Sequence, residues 1–413
     1  MMPSRLDRLI IELGEQAANA LSGKLGDLII GDDPAASLLA HAMQLVDASR
    51  AGSGITRVGN RIIIVTADYR QACRAGAMAD ERGVRDQVFI RGIDGDLDLD
   101  VFLRELRSAG GEQGGRSFAL THLPKSLDAL DYFARGLARN YEEMVMIAGA
   151  NTKHMTRTQN GILENSFVQV RGSRGAGKFR ALIAEEPQRN VTEHRPATND
   201  TECGRLYGVG GTFGGAKVDH GGKILAEQIV ADMLTAWPAG AAAAESANDP
   251  AGLGSDPEAG RRASTGFRFL DLGGGNGQVS LHLLSKLAGR YPGVRCLATD
   301  IDADAVLSMR RTLADYIAAG QAEVTWDDAA SAQPAQSFDV IALNPPFHAG
   351  SHVDSTLILD LLDAARRLLK PGGRLYVVHN SHLRYRGEIE KRFTDVVQLA
   401  RDPRFTVLRA VRV

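Results

Sequence analysis

Cysteine is scarce in this 413-residue chain: there are three, Cys73, Cys203 and Cys296. They are odd in number, far apart and outside any metal-ligand spacing. That excludes a disulfide scaffold and leaves reduced thiols expected to pack as small hydrophobes. No apolar run approaches the length of a membrane span. The opening residues, MMPSRLDRLIIELGEQ, are interrupted by Arg5, Asp7, Arg8 and Glu12, so no signal-peptide core is expected there. A large charge of one sign is absent too, since 48 Lys and Arg face 50 Asp and Glu, a net −2. The expectation is a cytoplasmic, monomeric protein with no membrane and no metal.

What is present is a globular composition, 44% hydrophobic and 24% charged, on a chain long enough for two domains. The near-neutral total hides local excesses. Arg366 to Val413 carries +8 and Lys153 to Arg180 carries +5, whereas DGDLDLD from Asp94 to Asp100 is acidic. Local charge of this kind can engage phosphates, and a solvated basic face accounts for it equally well.

Strand-like runs alternate with amphipathic stretches from the start: DLIIGDD, NRIIIVTAD, QVFIRG, RSFALTHLP and EMVMIAG read as buried parallel strands. Between them lie helical patterns such as SLDALDYFARGLARN, with Ser126 placed to cap it. The alternation restarts near residue 200, with strands expected at RFLDLGG, RCLATDI, AEVTWDD, FDVIALNPP and RLYVVHN, and FTVLRAVRV closing the chain as an edge strand. Two tandem α/β domains of doubly wound, Rossmann-like architecture follow, 1–195 and 200–413, alike as a duplication would leave them. The polar stretch 185–200 separates them. Residues 237–266, rich in Ala, Gly, Pro and Ser, read as a flexible insertion within the second domain.

The strand ending in Asp271-Leu272 runs into Gly273-Gly274-Gly275-Asn276-Gly277 and then a helical pattern. Glycines at 273, 275 and 277 permit a tight turn and close approach of a ligand to bare backbone. Asp271 can pair with a cationic amino-acid moiety, which S-adenosylmethionine has and NAD lacks. The next strand ends in Asp300, placed to accept both hydroxyls of a ribose, and the one after it in Asp327-Asp328, placed for an adenine amine. The fourth strand ends in Asn344-Pro345-Pro346-Phe347. Prolines restrict the backbone there, so the Asn344 side chain and the Pro345 carbonyl become two fixed acceptors for the two N–H bonds of a planar amine. Preorganised acceptors aim the nitrogen lone pair without a strong base. Phe347 offers a face for a base withdrawn from its stack.

At this point the chain resembles a known family. DLGGGNG, NPPFH and VVHNSHLRY together are similar to the bacterial ribosomal RNA guanine-N2 methyltransferases of the RsmC/RlmG type, and LPKSLDALDYFARGLAR, MIAGANTKHMT and GKFRALIA resemble their amino-terminal half. The resemblance implies a methyltransferase using S-adenosylmethionine, with ribosomal RNA or an assembling ribosomal subunit as partner. It implies a cofactor turn at Asp271, Gly273, Gly275 and Gly277, a ribose acid at Asp300, an adenine contact at Asp328 or Asp327, and an amine site at Asn344, Pro345 and Phe347. It implies a silent first copy, which has GDDPA in place of the glycine turn and HLPKS in place of the amine motif, serving folding or RNA engagement. The family places a Phe-Ser-Arg segment followed by Leu-Asp-x-Gly near the cofactor. Here Phe213, Asp219 and Gly221 match, but Gly214 and Gly215 replace Ser and Arg, which leaves the order and role of that loop open.

Gly172 to Lys178 has the spacing of a phosphate loop, but Phe179 occupies the Ser or Thr position and more strand follows, so a hairpin turn is expected. His348, His352, His379 and His382 lack an acid or Cys at ligand spacing. Other chemistries of the same motif, adenine-N6 or protein glutamine-N5 methylation, use Tyr or Trp where this chain has Phe347. A non-enzymatic RNA-binding protein would need damage in the second copy.

Overall fold

Central strands buried on both faces are largely apolar, and the central strand of each half follows this pattern apart from one buried acid, Asp27 in the first and Asp271 in the second. β1 (Leu25–Ile30) is buried along its whole length, and β10 (Arg268–Leu272) is buried from Phe269 onward. The computed structural model describes residues 3–20, 25–50, 61–110, 115–236, 266–345, 355–383 and 385–413. It divides into two compact units, 1–196 with 209–211, and 197–208 with 212–413. The stretch 237–265 lies outside the described residues.

In the first unit, β1 is joined by β2 (Ile62–Ile64), β3 (Val88–Ile90), β4 (Arg116–His122), β5 (Met144–Asn151), β6 (Phe167–Gly172) and β7 (Phe179–Pro187), in the order β3-β2-β1-β4-β5-β7-β6. The first five pair in parallel and the last two antiparallel. Asp27 of β1 is buried, accepting both Nε and Nη2 of Arg61 at 2.9 Å and the Tyr141 hydroxyl at 3.0 Å. The helix Leu127–Asn140 begins where Ser126 accepts the Ala129 N–H at 2.9 Å, as its capping position predicts. Gly172 to Lys178 turns the β6–β7 hairpin, not a phosphate loop.

The second unit adds a hairpin, β8 (Ala197–Thr201) and β9 (Gly204–Gly208), and a sheet of β10, β11 (Arg295–Asp300), β12 (Ala322–Trp326), β13 (Phe338–Leu343), β14 (Leu369–Asn380), β15 (Thr394–Arg401) and β16 (Phe405–Val411). Its order, β12-β11-β10-β13-β14-β16-β15, repeats that of the first sheet strand for strand. Leu272, Ile341, Leu343, Leu362, Val377 and Leu408 meet in one of its cores.

The last strand corrects the sequence reading. β16 pairs with β14 on one side and β15 on the other, so the edge belongs to β15, which the sequence pattern did not reveal. Arg409 made β16 look half-solvated, but its guanidinium reaches Asp232 of the helix His220–Ala236 at 2.7 Å. Asp232 also accepts Arg374 at 2.8 Å and the Tyr376 hydroxyl at 2.5 Å. Part of the +8 excess is likewise met by acids from outside that segment: Arg392 pairs with Asp363 and Lys370 with Asp339. Of the cysteines only Cys296 packs as a buried thiol, whereas Cys73 is exposed and Cys203 half-buried. Among the described residues no helix is long and apolar enough to cross a membrane.

Candidate active site

Strand register brings the expected residues to one sheet edge. Leu272 of β10 is level with Thr299 of β11 and Leu343 of β13, so Gly273, Asp300 and Asn344 are each the next residue beyond a shared level. Asp327 follows one step further, its N–H donating to the Asp300 carbonyl at 3.1 Å. This is the carboxyl edge of parallel strands, where open α/β sheets bind ligands.

Gly273, Gly275 and Gly277 all have positive φ, at 79°, 57° and 82°. A Cβ added at Gly273 or Gly275 would meet nothing within 4 Å, so these two peptides present open backbone, whereas at Gly274 it would strike Met309 Sδ at 2.5 Å. The turn is therefore open on one side and tightly packed on the other. Gly275 donates to Asp300 Oδ2 at 3.0 Å, and Asp302 donates to Asp300 Oδ1 at 3.0 Å. Each oxygen keeps a further lone pair, and the residue is half-buried at the edge. Burial pushes the Asp300 carboxyl above its usual range.

Asp271 lies beneath the turn instead of at its open face. It is 2% exposed, and its Oδ2 accepts the N–H and hydroxyl of Ser280 at 3.1 and 2.7 Å. Burial pushes its carboxyl up to about 6, against the lowering effect of Ser280. The two candidate adenine acids separate as well. Asp327 is buried, accepting the Ser331 hydroxyl at 2.5 Å and the Ala332 N–H at 3.0 Å, while Asp328 stays half-exposed.

Asn344 donates Nδ2 to Asp219 Oδ2 at 3.0 Å. Its Oδ1 is buried and has no hydrogen-bond partner among the described residues. Pro345 is buried beside it, and Pro346, Phe347, His348 and His352 lie outside the described residues. His379 is buried, and burial holds its imidazole below the usual value, while His382 is exposed.

The loop left open by the sequence is ordered. Asn276 donates to the carbonyls of Gly215 and Lys217 at 3.0 and 3.1 Å, and Gln278 brackets Asp219, accepting its N–H at 2.7 Å and donating to its carbonyl at 2.9 Å. Side chains of the glycine turn thus hold Gly215 to Asp219 against it. Asn276 and Gln278 were missed in the sequence reading, although two amides within and just after a glycine turn were the available signal. Phe213 is 67% exposed, so its side chain is not packed into the turn.

Among the described residues Glu202, Cys203 and His282 bring three potential ligand atoms within 4.8 Å of one another. Burial lowers the His282 imidazole, with Lys286 acting the same way and Glu227 and Glu202 against it.

The methyltransferase small domain family matches residues 261–409. A protein of Streptomyces avermitilis named ribosomal RNA large subunit methyltransferase G is 37% identical over 71% of this chain and 70% of its own length. The chain belongs to this methyltransferase family. A namesake from Streptomyces coelicolor is 31% identical over 71% of each chain, and one from Shewanella amazonensis 28% identical over 76% of this chain and 73% of its own. Among solved structures, the T. thermophilus 16S rRNA N2 G1207 methyltransferase RsmC, in complex with AdoMet and guanosine, covers all of this chain and 93% of its own. It does so with a TM-score of 0.63 at 16% identity, a likeness of fold across both α/β units. The chain is thus a methyltransferase, with the glycine turn and Asn344-Pro345 inside the matched domain.

Proposed function

We propose that the second unit transfers a methyl group from S-adenosylmethionine to the exocyclic N2 amine of a guanine in large-subunit ribosomal RNA. The observation that carries this reading is the Asn344 amide oxygen, an acceptor buried without a partner among the described residues, one residue beyond the strand end beside the glycine turn. A buried acceptor left unpaired is costly, and a substrate N–H relieves that cost. The relatives' names supply the nucleic acid and the subunit.

The residues fit the donor. Open backbone at Gly273 and Gly275 admits a ligand against bare peptide, and Asp300 retains lone pairs for ribose hydroxyls. Asp328 is the better of the two adenine candidates, because Asp327 is committed to its own turn. Asp271 supports the turn through Ser280, with its charge held under the amino-acid end of the site. When bound, S-adenosylmethionine supplies an electrophilic methyl on a sulfonium. Asn344 Oδ1 and the Pro345 carbonyl take the two N–H bonds of the guanine amine, drawing its lone pair out of conjugation. Fixed dipoles do this without reorganising during the reaction, so no general base has to sit at the nitrogen. Phe347 takes the face of the withdrawn base.

The first unit is the silent partner in this scheme. Where a glycine turn would stand, the Asp33 carboxylate accepts the N–H groups of Ser37 and Leu39 at 3.0 and 2.9 Å, occupying the helix start itself. Lys153, Arg157, Arg174 and Lys178 are exposed, and the Thr152 N–H to Lys178 carbonyl bond draws their segments together. That basic surface suits RNA backbone. The protein acts as a cytoplasmic monomer.

The test is transfer from labelled donor to ribosomal RNA taken from a deletion strain, followed by mass spectrometry of the nucleosides. N2-methylguanosine is expected; N6-methyladenosine, or labelled protein alone, would overturn the assignment.

A further inference from the structure

We infer that Asp219 is a positioning residue for methyl transfer: its carboxylate fixes which way the Asn344 amide faces. The inference rests on the amine-clamp reading of Asn344. An asparagine amide is nearly symmetric in shape, and either end fits the same space. Only the oxygen can accept a substrate N–H, so an amide turned the wrong way would oppose N–H with N–H. An ionised carboxylate only accepts hydrogen bonds. At 3.0 Å from Asp219 Oδ2 the Asn344 NH2 must face the acid, and the oxygen is left as a buried acceptor with no partner among the described residues.

Asp219 is itself held in three ways. Its backbone N–H and carbonyl are both taken by the Gln278 amide, at 2.7 and 2.9 Å. The same Oδ2 that meets Asn344 accepts the Gly222 N–H at 2.6 Å. Close approach also depends on glycine: a Cβ at Gly222 would lie 3.3 Å from Asp219 Oδ2 and 3.4 Å from Asn344 Nδ2. Gln278 opens the helix that follows the glycine turn, and its N–H donates to Asn276 Oδ1 at 3.2 Å. A chain of hydrogen bonds therefore links the turn that receives the donor to the amide that receives the amine.

A simpler role must be separated from this one. Asp219 precedes the helix His220–Ala236 and accepts the Gly222 N–H, so it also caps that helix. Serine caps a helix as well as aspartate does but is too short to replace the carboxylate at both partners, whereas asparagine can keep its oxygen where Oδ2 stands. Asp219→Ser is therefore expected to hold the melting temperature and the calorimetric affinity for S-adenosylmethionine. Its kcat on ribosomal RNA should fall about tenfold or more, as misplaced catalytic groups do. Asp219→Asn is expected to recover most of that rate. The side-chain amide resonance of Asn344, identified by its disappearance in Asn344→Asp, should be ordered in the wild type and in Asp219→Asn and averaged in Asp219→Ser. An unchanged kcat in Asp219→Ser, a loss matched by donor affinity, or an Asn344 amide equally ordered in all three would overturn the inference. Wild-type protein that fails to methylate guanine N2 would defeat the functional assignment instead, and the amide resonance would still decide the role of Asp219.

Discussion

Replacing Asp271 by Asn should remove a loss of stability that the second unit otherwise suffers as the pH rises from about 4 to 6. Asp271 is 2% exposed, and burial moves its carboxyl from 3.8 to about 6. The folded value lies above the unfolded one, so the unfolded chain releases this proton first as the pH rises. Below about pH 4 the group is neutral in both states and contributes nothing. Between about pH 4 and 6 stability falls, and above that the full penalty of about 3 kcal/mol stands. From pH 4.5 to 7 the linkage relation gives a loss of about 2 kcal/mol from this carboxyl alone. Asparagine can accept from Ser280 with its oxygen but does not ionise, so any fixed gain or loss from the amide is the same at both pH values. Trp326 belongs to the second unit, where its Nε1 donates to the Ile301 carbonyl, and its fluorescence during urea unfolding reports on that unit. The difference in unfolding free energy between variant and wild type should grow by about 2 kcal/mol from pH 4.5 to 7. Parallel curves across that range would show that Asp271 ionises normally in the fold, and that its burial under the turn costs nothing.

Asn344→Ala should lower the rate of transfer about a hundredfold or more with unchanged donor affinity by calorimetry, because its oxygen serves the acceptor amine. Asp300→Asn should weaken donor binding by about 1.5–3 kcal/mol in the same assay, since a charged acceptor at the open face becomes neutral while Gly275 keeps a partner. Changing Lys153, Arg174 and Lys178 together to Glu should reduce affinity for ribosomal RNA and shallow its dependence on salt, with donor binding untouched; a filter-binding salt titration reads both. Saturable donor binding by a protein whose second site is disabled through Gly275→Val would show that the first unit is not silent.

Both sheets were legible in the sequence wherever a strand is apolar on both faces, as at Leu28–Ile30 and Val340–Leu343, because parallel strands covered by helices on both sides favour such short apolar runs. β15 was not: its residues are exposed or half-buried and it carries no clear period. The glycine turn and Asn344 were legible because their chemistry demands particular residue types at particular places. Asp219 matched a family pattern, but its partner Asn344 is 125 residues away, and only the fold brings them to 3.0 Å. Asp271 and Asp327 looked in sequence like their half-buried neighbours Asp300 and Asp328. Which acid is buried depends on the turn that closes over it, and Ser280, Ser331 and Ala332 supply that information from nearby in the chain.

Two sheets with the same strand order in one chain carry a hazard during folding. A nascent strand can enter the wrong copy, as repeated domains sometimes do. The Asp27–Arg61 pair works against that exchange. If β11, the counterpart of β2, took its place with the strand ends level, Cys296 would stand where Arg61 does and Arg295 one residue earlier on the other face, leaving a carboxylate with 1% exposure without its guanidinium in the interior. Stranding one member of a buried ion pair costs about 3–5 kcal/mol. One salt bridge in the half with no assigned chemistry thus gives the chain a means of telling its two copies apart while both are still assembling.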